Sequence, residues 1–286
     1  MSWKILYLLA LVVLLTGCVP AARTATQTAA PPGPVATPTL PTATAFPSAT
    51  NTAVPTPMPT ATPPNELPEE GILILEPGPG SRLVGAIHLR GIAGPTFESH
   101  LLVQVVLDDG SELIVLPITI QAEMGSRGPF TAEIPFSVAS ERQAFILVSS
   151  SSPRDGGTNH LASVGVTLAP QGEQLIRPAG YRTERISITR PALGESLSGG
   201  LARVEGIALP SFEGTLIVEL LDAEGTLLAS QPVIVLAADM GQYGPFAIDL
   251  PFQVAAPGAG RVVVRDPSVV FQGDVHLASV EVNLEP

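Results

Sequence analysis

The stretch Met124-Gly125-Ser126-Arg127-Gly128-Pro129-Phe130-Thr131-Ala132-Glu133-Ile134-Pro135-Phe136 returns as Met240-Gly241-Gln242-Tyr243-Gly244-Pro245-Phe246-Ala247-Ile248-Asp249-Leu250-Pro251-Phe252. Each copy opens on a glycine-bounded turn, closes it with Gly-Pro, and then alternates. Phe130, Ala132, Ile134, Phe136 and Val138 fall on one side, as do Phe246, Ile248, Leu250, Phe252 and Val254. A period of two is what a half-buried strand requires. A chain that writes the same turn and strand twice is built from a duplicated all-β unit.

The duplication extends in both directions. Ile72-Leu73-Ile74-Leu75-Glu76-Pro77 answers to Ile186-Ser187-Ile188-Thr189-Arg190-Pro191, Phe97-Glu98 to Phe212-Glu213, and His160-Leu161-Ala162-Ser163-Val164 to His276-Leu277-Ala278-Ser279-Val280. The offset drifts only from 114 to 116 residues. Leu101, Val103 and Val105 match Leu216, Val218 and Leu220, with Gln104 and Glu219 at alternate sites. In the last strand, Ala162, Val164, Val166 and Leu168 share a face, as do Ala278, Val280, Val282 and Leu284. Asp109-Gly110 and Glu224-Gly225 stand where hairpins must turn. About seven short strands per copy predict two tandem immunoglobulin-like antiparallel β-sandwiches, residues 70–169 and 185–286. Pro170 to Glu184 joins them and is too short to let them wander far apart.

The opening Pro77 to Gly80 and Pro191 to Gly194, the Phe-Glu pair, the Gly-x-x-Gly-Pro-Phe turn and the His-Leu-Ala-Ser-Val strand resemble the immunoglobulin-like domain associated with bacterial spore-germination proteins, the Gmad family. The resemblance implies an envelope-associated, non-catalytic module in each copy. It brings no ligand with it.

Ahead of the repeats lie two further segments. Lys4 precedes an apolar run from Ile5 to Leu15, and Leu15-Thr16-Gly17-Cys18 follows. A positive start, a short greasy core and small residues before a cut site make residues 1–18 a secretory signal. Leu-Thr-Gly-Cys resembles a bacterial lipobox, which makes Cys18 the lipidated first residue of the mature protein. The expected address is outside the cytoplasm, lipid-anchored to the cell membrane through Cys18. Residues 19–69 are built almost wholly from Ala, Thr and Pro. They lack apolar periodicity and predict a disordered tether. At roughly 3.1 Å per residue, some fifty residues reach on the order of 150 Å. Their composition also fits O-glycosylated stalks.

Composition narrows the chemistry. Cys18 is the one cysteine, Lys4 the one lysine and Trp3 the one tryptophan. Removing the leader leaves no thiol in the domains if Cys18 carries lipid, and no amine for Schiff-base chemistry. The formal charge of -12 becomes about -13 without Lys4. An acidic chain lacking basic clusters is a poor nucleic-acid ligand, since phosphate neutralisation drives that affinity. No cofactor motif occurs; Gly78-Pro79-Gly80 and Gly258-Ala259-Gly260 read as turns.

His88 and His100 are not repeated and fall on outward faces. His160 and His276 are repeated. As general bases they have Asp155 and Ser163, or Asp274 and Ser279, nearby in sequence, but each serine is an odd number of residues from its histidine and points to the opposite face. The plainer expectation is a histidine that plugs the sandwich end and bonds a turn carbonyl. Glu98 and Glu213 are repeated without a second carboxylate at a ligand spacing, so no metal site is expected. Tyr181, Tyr243 and Phe271 are the aromatic candidates for stacking. Tyr243 occupies the turn position of Arg127, and residues that differ on a shared scaffold are candidate contact points. The functional expectation is a non-enzymatic, membrane-anchored binding or interaction protein with an envelope protein or cell-wall partner. The alternative is a structural spacer without a specific ligand.

Overall fold

A computed structural model describes residues 67–286 except Tyr181, Ser211 and Phe212. The leader, Cys18 and the Ala/Thr/Pro segment to residue 66 lie outside the described residues. Repeat one contributes β1 (Ile72–Glu76), β2 (Ser81–Val84), β3 (Ala86–Ala93), β4 (His100–Leu107), β5 (Glu112–Thr119), β6 (Gly128–Pro135), β7 (Arg142–Ser151) and β8 (Thr158–Ala169). Repeat two contributes β9 (Ile186–Arg190), β10 (Ser196–Leu197), β11 (Leu201–Ala208), β12 (Thr215–Asp222), β13 (Leu227–Ile234), β14 (Gly244–Pro251), β15 (Gly258–Pro267) and β16 (Asp274–Leu284). Among the described residues no helix is long and apolar enough to cross a membrane.

Each repeat is a sandwich. In repeat one the small sheet runs β1-β3-β6 and faces β5-β4-β7-β8. In repeat two, β14-β11-β9 faces β13-β12-β15-β16. The sheets enclose separate cores. Leu101, Val103, Val105, Phe130 and Ile134 are buried in the first, and Leu216, Val218, Leu220, Phe246 and Leu250 in the second. The alternation at period two therefore marks the inward faces. Phe252 is 4% exposed, but Phe136 is only half-buried. Equivalent positions just after β6 and β14 thus lie at different depths.

Phe130 and Phe246 lie across from glycines, Gly91 on β3 and Gly206 on β11. A Cβ at Gly91 would stand 2.1 Å from the Phe130 ring, and one at Gly206 would stand 2.4 Å from Phe246. The ring covers the strand where a side chain would otherwise project, and this fixes glycine at both places.

Among the described residues each sandwich has eight strands rather than about seven. The additional ones are β2, parallel to the C-terminal part of β8, and β10, parallel to β16. They are four and two residues long, too short to display an alternation.

The repeats share one compact unit. β2 covers only part of the free edge of β8. Nearer its N-terminal end, β8 pairs antiparallel with β16, His276 against Ala162, Leu277 against Leu161 and Ala278 against His160. The two large sheets thereby become one ten-stranded sheet. An edge left open would present unpaired backbone groups to other chains; here the second repeat occupies it. The connecting segment is strapped to repeat one: Leu175 and Arg82 exchange backbone hydrogen bonds of 2.8 Å each. The Arg82 guanidinium also donates to the carbonyls of Gln171 and Glu173.

Candidate functional site

Some of the polar residues that repeat in sequence converge where the repeats meet. Two backbone layers make the junction. One is the β8–β16 pairing. The other is formed by the lead-in segments before β1 and β9, which pair antiparallel at Glu69 and Thr183. Glu70 N donates to Arg182 O and Glu184 N donates to Pro68 O, both at 2.9 Å. The contacts are reciprocal, as an approximate two-fold relation between like surfaces requires.

Glu70 and Glu184, at an offset of 114, meet His160 and His276 at this junction. His160 Nε2 lies 2.6 Å from Glu70 Oε1, and His276 Nε2 lies 3.0 Å from Glu184 Oε1. The cross distances, His160 to Glu184 and His276 to Glu70, are both 3.8 Å. The imidazoles meet edge to face with centroids 5.0 Å apart. Each carboxylate also accepts a backbone N–H from the other repeat: Glu184 Oε2 from Gly71 at 2.9 Å, and Glu70 Oε2 from Arg185 at 3.3 Å. The side chains of His276 and Glu70 are 1% and 6% exposed, so these polar groups are removed from water and need partners. Burial works against the charged imidazole of His160. The hydrogen bond to Glu70 and the charges of Glu184 and Glu70 outweigh it and raise its pKa. Burial likewise disfavours the Glu184 carboxylate, yet His276, His160 and the Gly71 N–H hold it down at about 2.

The histidines therefore do not plug a sandwich end against a turn carbonyl. They lie between the repeats against carboxylates. Sequence reasoning missed Glu70 and Glu184, although both repeat two residues before Ile72 and Ile186. The serines of the His-Leu-Ala-Ser-Val strands point elsewhere, as expected. Ser163 Oγ donates to Val275 O at 2.7 Å and Ser279 Oγ to Thr158 O at 2.8 Å. Each ties its strand to the other repeat. Asp274 faces Arg265 at 3.2 Å rather than a serine. A groove of about 260 Å³ opens beside the cluster, with Glu70, Phe145, Ser163, Arg185 and His276 in its wall.

Two flanks complete the junction at equivalent positions with unlike chemistry. On one, Phe271 from the loop before β16 packs on Phe145 of β7, centroids 4.7 Å apart, beside Val106, Leu147 and Val275. On the other, Arg261 of β15 enters the loop before β8. Arg261 is 1% exposed. It donates through Nε and Nη2 to Asp155 at 3.0 and 2.7 Å, and through Nη1 to Asn159 and Ser279, both at 2.8 Å. Nη2 also donates to Glu281 at 3.1 Å. Burial would raise the Asp155 pKa, but the Arg261 fork and the Gly157 N–H outweigh it and lower it.

Arg127 and Tyr243 border the paired lead-in segments. Arg127 Nη2 donates to Glu70 O at 2.9 Å, and Tyr243 Oη donates to Thr183 O at 3.2 Å. The turns carrying them expose their methionines, Met124 by 82% and Met240 by 98%. Glu98 and Glu213 adopt left-handed conformations, φ 53° and 48°, in the turns before β4 and β12. His88 and His100 are exposed. Tyr181 and Cys18 lie outside the described residues.

A family model for the immunoglobulin-like domain of bacterial spore germination matches residues 71–157 and 185–270. The chain belongs to that family. Each matched segment lies within one sandwich and ends before its last strand, β8 or β16, so the membership holds for each repeat. No curated protein matches the chain. Among solved structures it is similar to CBD12 from CALX1.2, at 11% identity over 74% of this chain and 99% of that one, with a TM-score of 0.18. A chimeric titin Z1Z2-Z1Z2 tandem is similar at 15% identity over 75% and 98% of the two chains, TM-score 0.22. Bovine butyrophilin follows at 11% identity over 74% and 97%, TM-score 0.22. With TM-scores this low, the family match alone makes the assignment.

Proposed function

We propose that the chain is an exported lipoprotein, held to the cell membrane by lipid on Cys18, whose two immunoglobulin-like repeats act as one non-enzymatic interaction unit at the end of the Ala/Thr/Pro tether. The observation that carries this reading is the division of labour among the repeated residues. The histidines and serines of the His-Leu-Ala-Ser-Val strands are engaged in joining the repeats. The Met-Gly-x-x-Gly-Pro-Phe turns leave Met124 and Met240 in solvent beside Arg127 and Tyr243. Methionine adapts its shape to a partner surface, and a turn framed by Gly128-Pro129 or Gly244-Pro245 presents it without a floppy loop. The partner is an envelope protein or cell-wall component. Acidity and the absence of basic clusters argue against nucleic acid.

The test uses the full-length protein. Cys18→Ala is expected to leave the membrane fraction or to stay unprocessed. Met124→Ser with Met240→Ser is expected to weaken capture of envelope material by on the order of 1–2 kcal/mol, with melting unchanged. Fractionation of Cys18→Ala like the parent, with normal processing, contradicts the anchor. A spacer is the second reading, favoured by the continuous ten-stranded sheet; absence of any captured partner would select it. Hydrolytic activity lost on His160→Ala without a change in melting would overturn the non-enzymatic assignment.

A further inference from the structure

We infer that Glu70, His160, Glu184 and His276 form a closed site for one divalent metal of the zinc class, which staples repeat one to repeat two. Each residue offers one donor atom, and the four atoms lie within 4.8 Å of one another. A tetrahedral zinc ion with bonds of about 2.0–2.1 Å needs ligand atoms about 3.3 Å apart. The His–Glu separations of 2.6, 3.0, 3.8 and 3.8 Å fall on both sides of that value. His160 faces Oε2 of Glu184 and His276 faces Oε1, and all ligand pairs lie within 4.8 Å, so a bound ion requires one Glu184 oxygen to turn inward and the widest pair to close by up to about 1.5 Å.

The donor set selects the metal. Two imidazole nitrogens and two carboxylate oxygens suit zinc. Calcium takes six to eight oxygens, and magnesium keeps several waters in an octahedron; a buried pair of imidazoles suits neither. Charge points the same way. One divalent ion with two carboxylates and two neutral imidazoles is electrically balanced. A ring nitrogen binds a metal only when it carries no proton, so metal affinity falls as the solution is acidified.

The surroundings support ligation. The backbone N–H groups of Gly71 and Arg185 hold the carboxylates from the opposite repeat, as outer contacts orient ligands in metal sites. The guanidinium of Arg185 is directed at Asp266, at 3.0 Å, and that of Arg127 at the Glu70 carbonyl, at 2.9 Å. The groove walled by Glu70 and His276 gives an ion a route in. Each repeat supplies one glutamate and one histidine, so the site exists only when the repeats are joined.

The test uses full-length protein in detergent, stripped with a chelator and titrated with Zn²⁺ alone. One ion per chain is expected, with a rise in melting temperature that the chelator reverses. Cobalt(II) in place of zinc should give the intense visible bands of a tetrahedral ion; this readout needs no variant. His160→Gln with His276→Gln, and separately Glu70→Gln, should weaken zinc binding by more than the roughly 100-fold that loss of a supporting contact costs. His88→Gln with His100→Gln should bind as the parent does. Circular dichroism of the metal-free variants establishes that they are folded; if the double histidine variant is not, Glu70→Gln and the cobalt spectrum decide. Uptake well below one ion per chain, a six-coordinate cobalt spectrum, or undiminished binding by a folded cluster variant would overturn the site.

Discussion

The two flanks of the junction place opposite chemistry at equivalent positions. Phe145 in repeat one corresponds to Arg261 in repeat two, and Asp155 to Phe271, both at an offset of 116. One flank is therefore an aromatic contact and the other a buried ion pair with four acceptor residues around one guanidinium. The centre between them is reciprocal, glutamate and histidine from each side. A wholly reciprocal junction would fit either repeat to a second copy of itself as well as to its neighbour. The flanks remove that degeneracy. Repeat one against itself would set Phe145 on Asp155, and repeat two against itself would bury Arg261 against Phe271 without a counter-charge. Discrimination then rests on repulsive elements as much as on attractive ones.

The largest effect is expected at the ionic flank. Arg261→Met leaves Asp155 buried without its partner, and such a break typically costs about 3–5 kcal/mol. Denaturant titration measures it. A loss below 1 kcal/mol would place Arg261 in effective contact with water and erase the contrast between the flanks. Phe271→Ala comes next. Phe271 is 7% exposed and Phe145 only half-buried, so the cost is expected near the lower end of the range for aromatic truncation, about 3 kcal/mol.

The comparison sharpens if the ionic flank is rebuilt as the aromatic one. Arg261→Phe combined with Asp155→Phe restores chemical symmetry. Replacing a buried ion pair by packed apolar side chains is often neutral or stabilising by about 1–4 kcal/mol, so the double variant should recover the loss seen in Arg261→Met. It should also begin to associate through mismatched repeats, visible as a concentration-dependent mass in light scattering. A double variant as unstable as the single one would show that the flank demands the ions themselves.

The smallest effect is the acid response. The Asp155 pKa is lower folded than its ordinary 3.8. A carboxylate of lowered pKa contributes stability that is present above its unfolded pKa and lost as pH falls through the folded value. Below about pH 4 the parent should therefore lose stability more steeply than the Phe–Phe variant, which lacks that carboxylate. Parallel slopes between pH 4 and 2 would contradict the ion pair.

How much of this was legible follows from what repeats reveal. Alternation in Leu101–Val105 and Leu216–Leu220 identifies strands and their inward faces, because burial on one side imposes a period of two. The Asp109-Gly110 and Glu224-Gly225 hairpins are equally plain. β2 and β10 are not, since so few residues cannot express a period. His160 and His276 stand out as repeated, but their environment depends on how the sandwiches dock, which no local pattern encodes. Glu70 and Glu184 repeat too, yet they precede the first strand and belong to no apolar face. The flanks were the hardest to read. Comparison of copies rewards matches, and Phe145 against Arg261 reads as drift although the mismatch sets the pairing. Arg127 and Tyr243 show the same thing, since unlike side chains reach equivalent lead-in segments.

The central claim is that the junction makes two sandwiches into one folding unit. Differential scanning calorimetry of the full-length protein tests it most directly. A single transition is predicted, with calorimetric and van't Hoff enthalpies equal over the whole chain. Two resolved transitions, each with about half the enthalpy and neither moved by Arg261→Met, would contradict it.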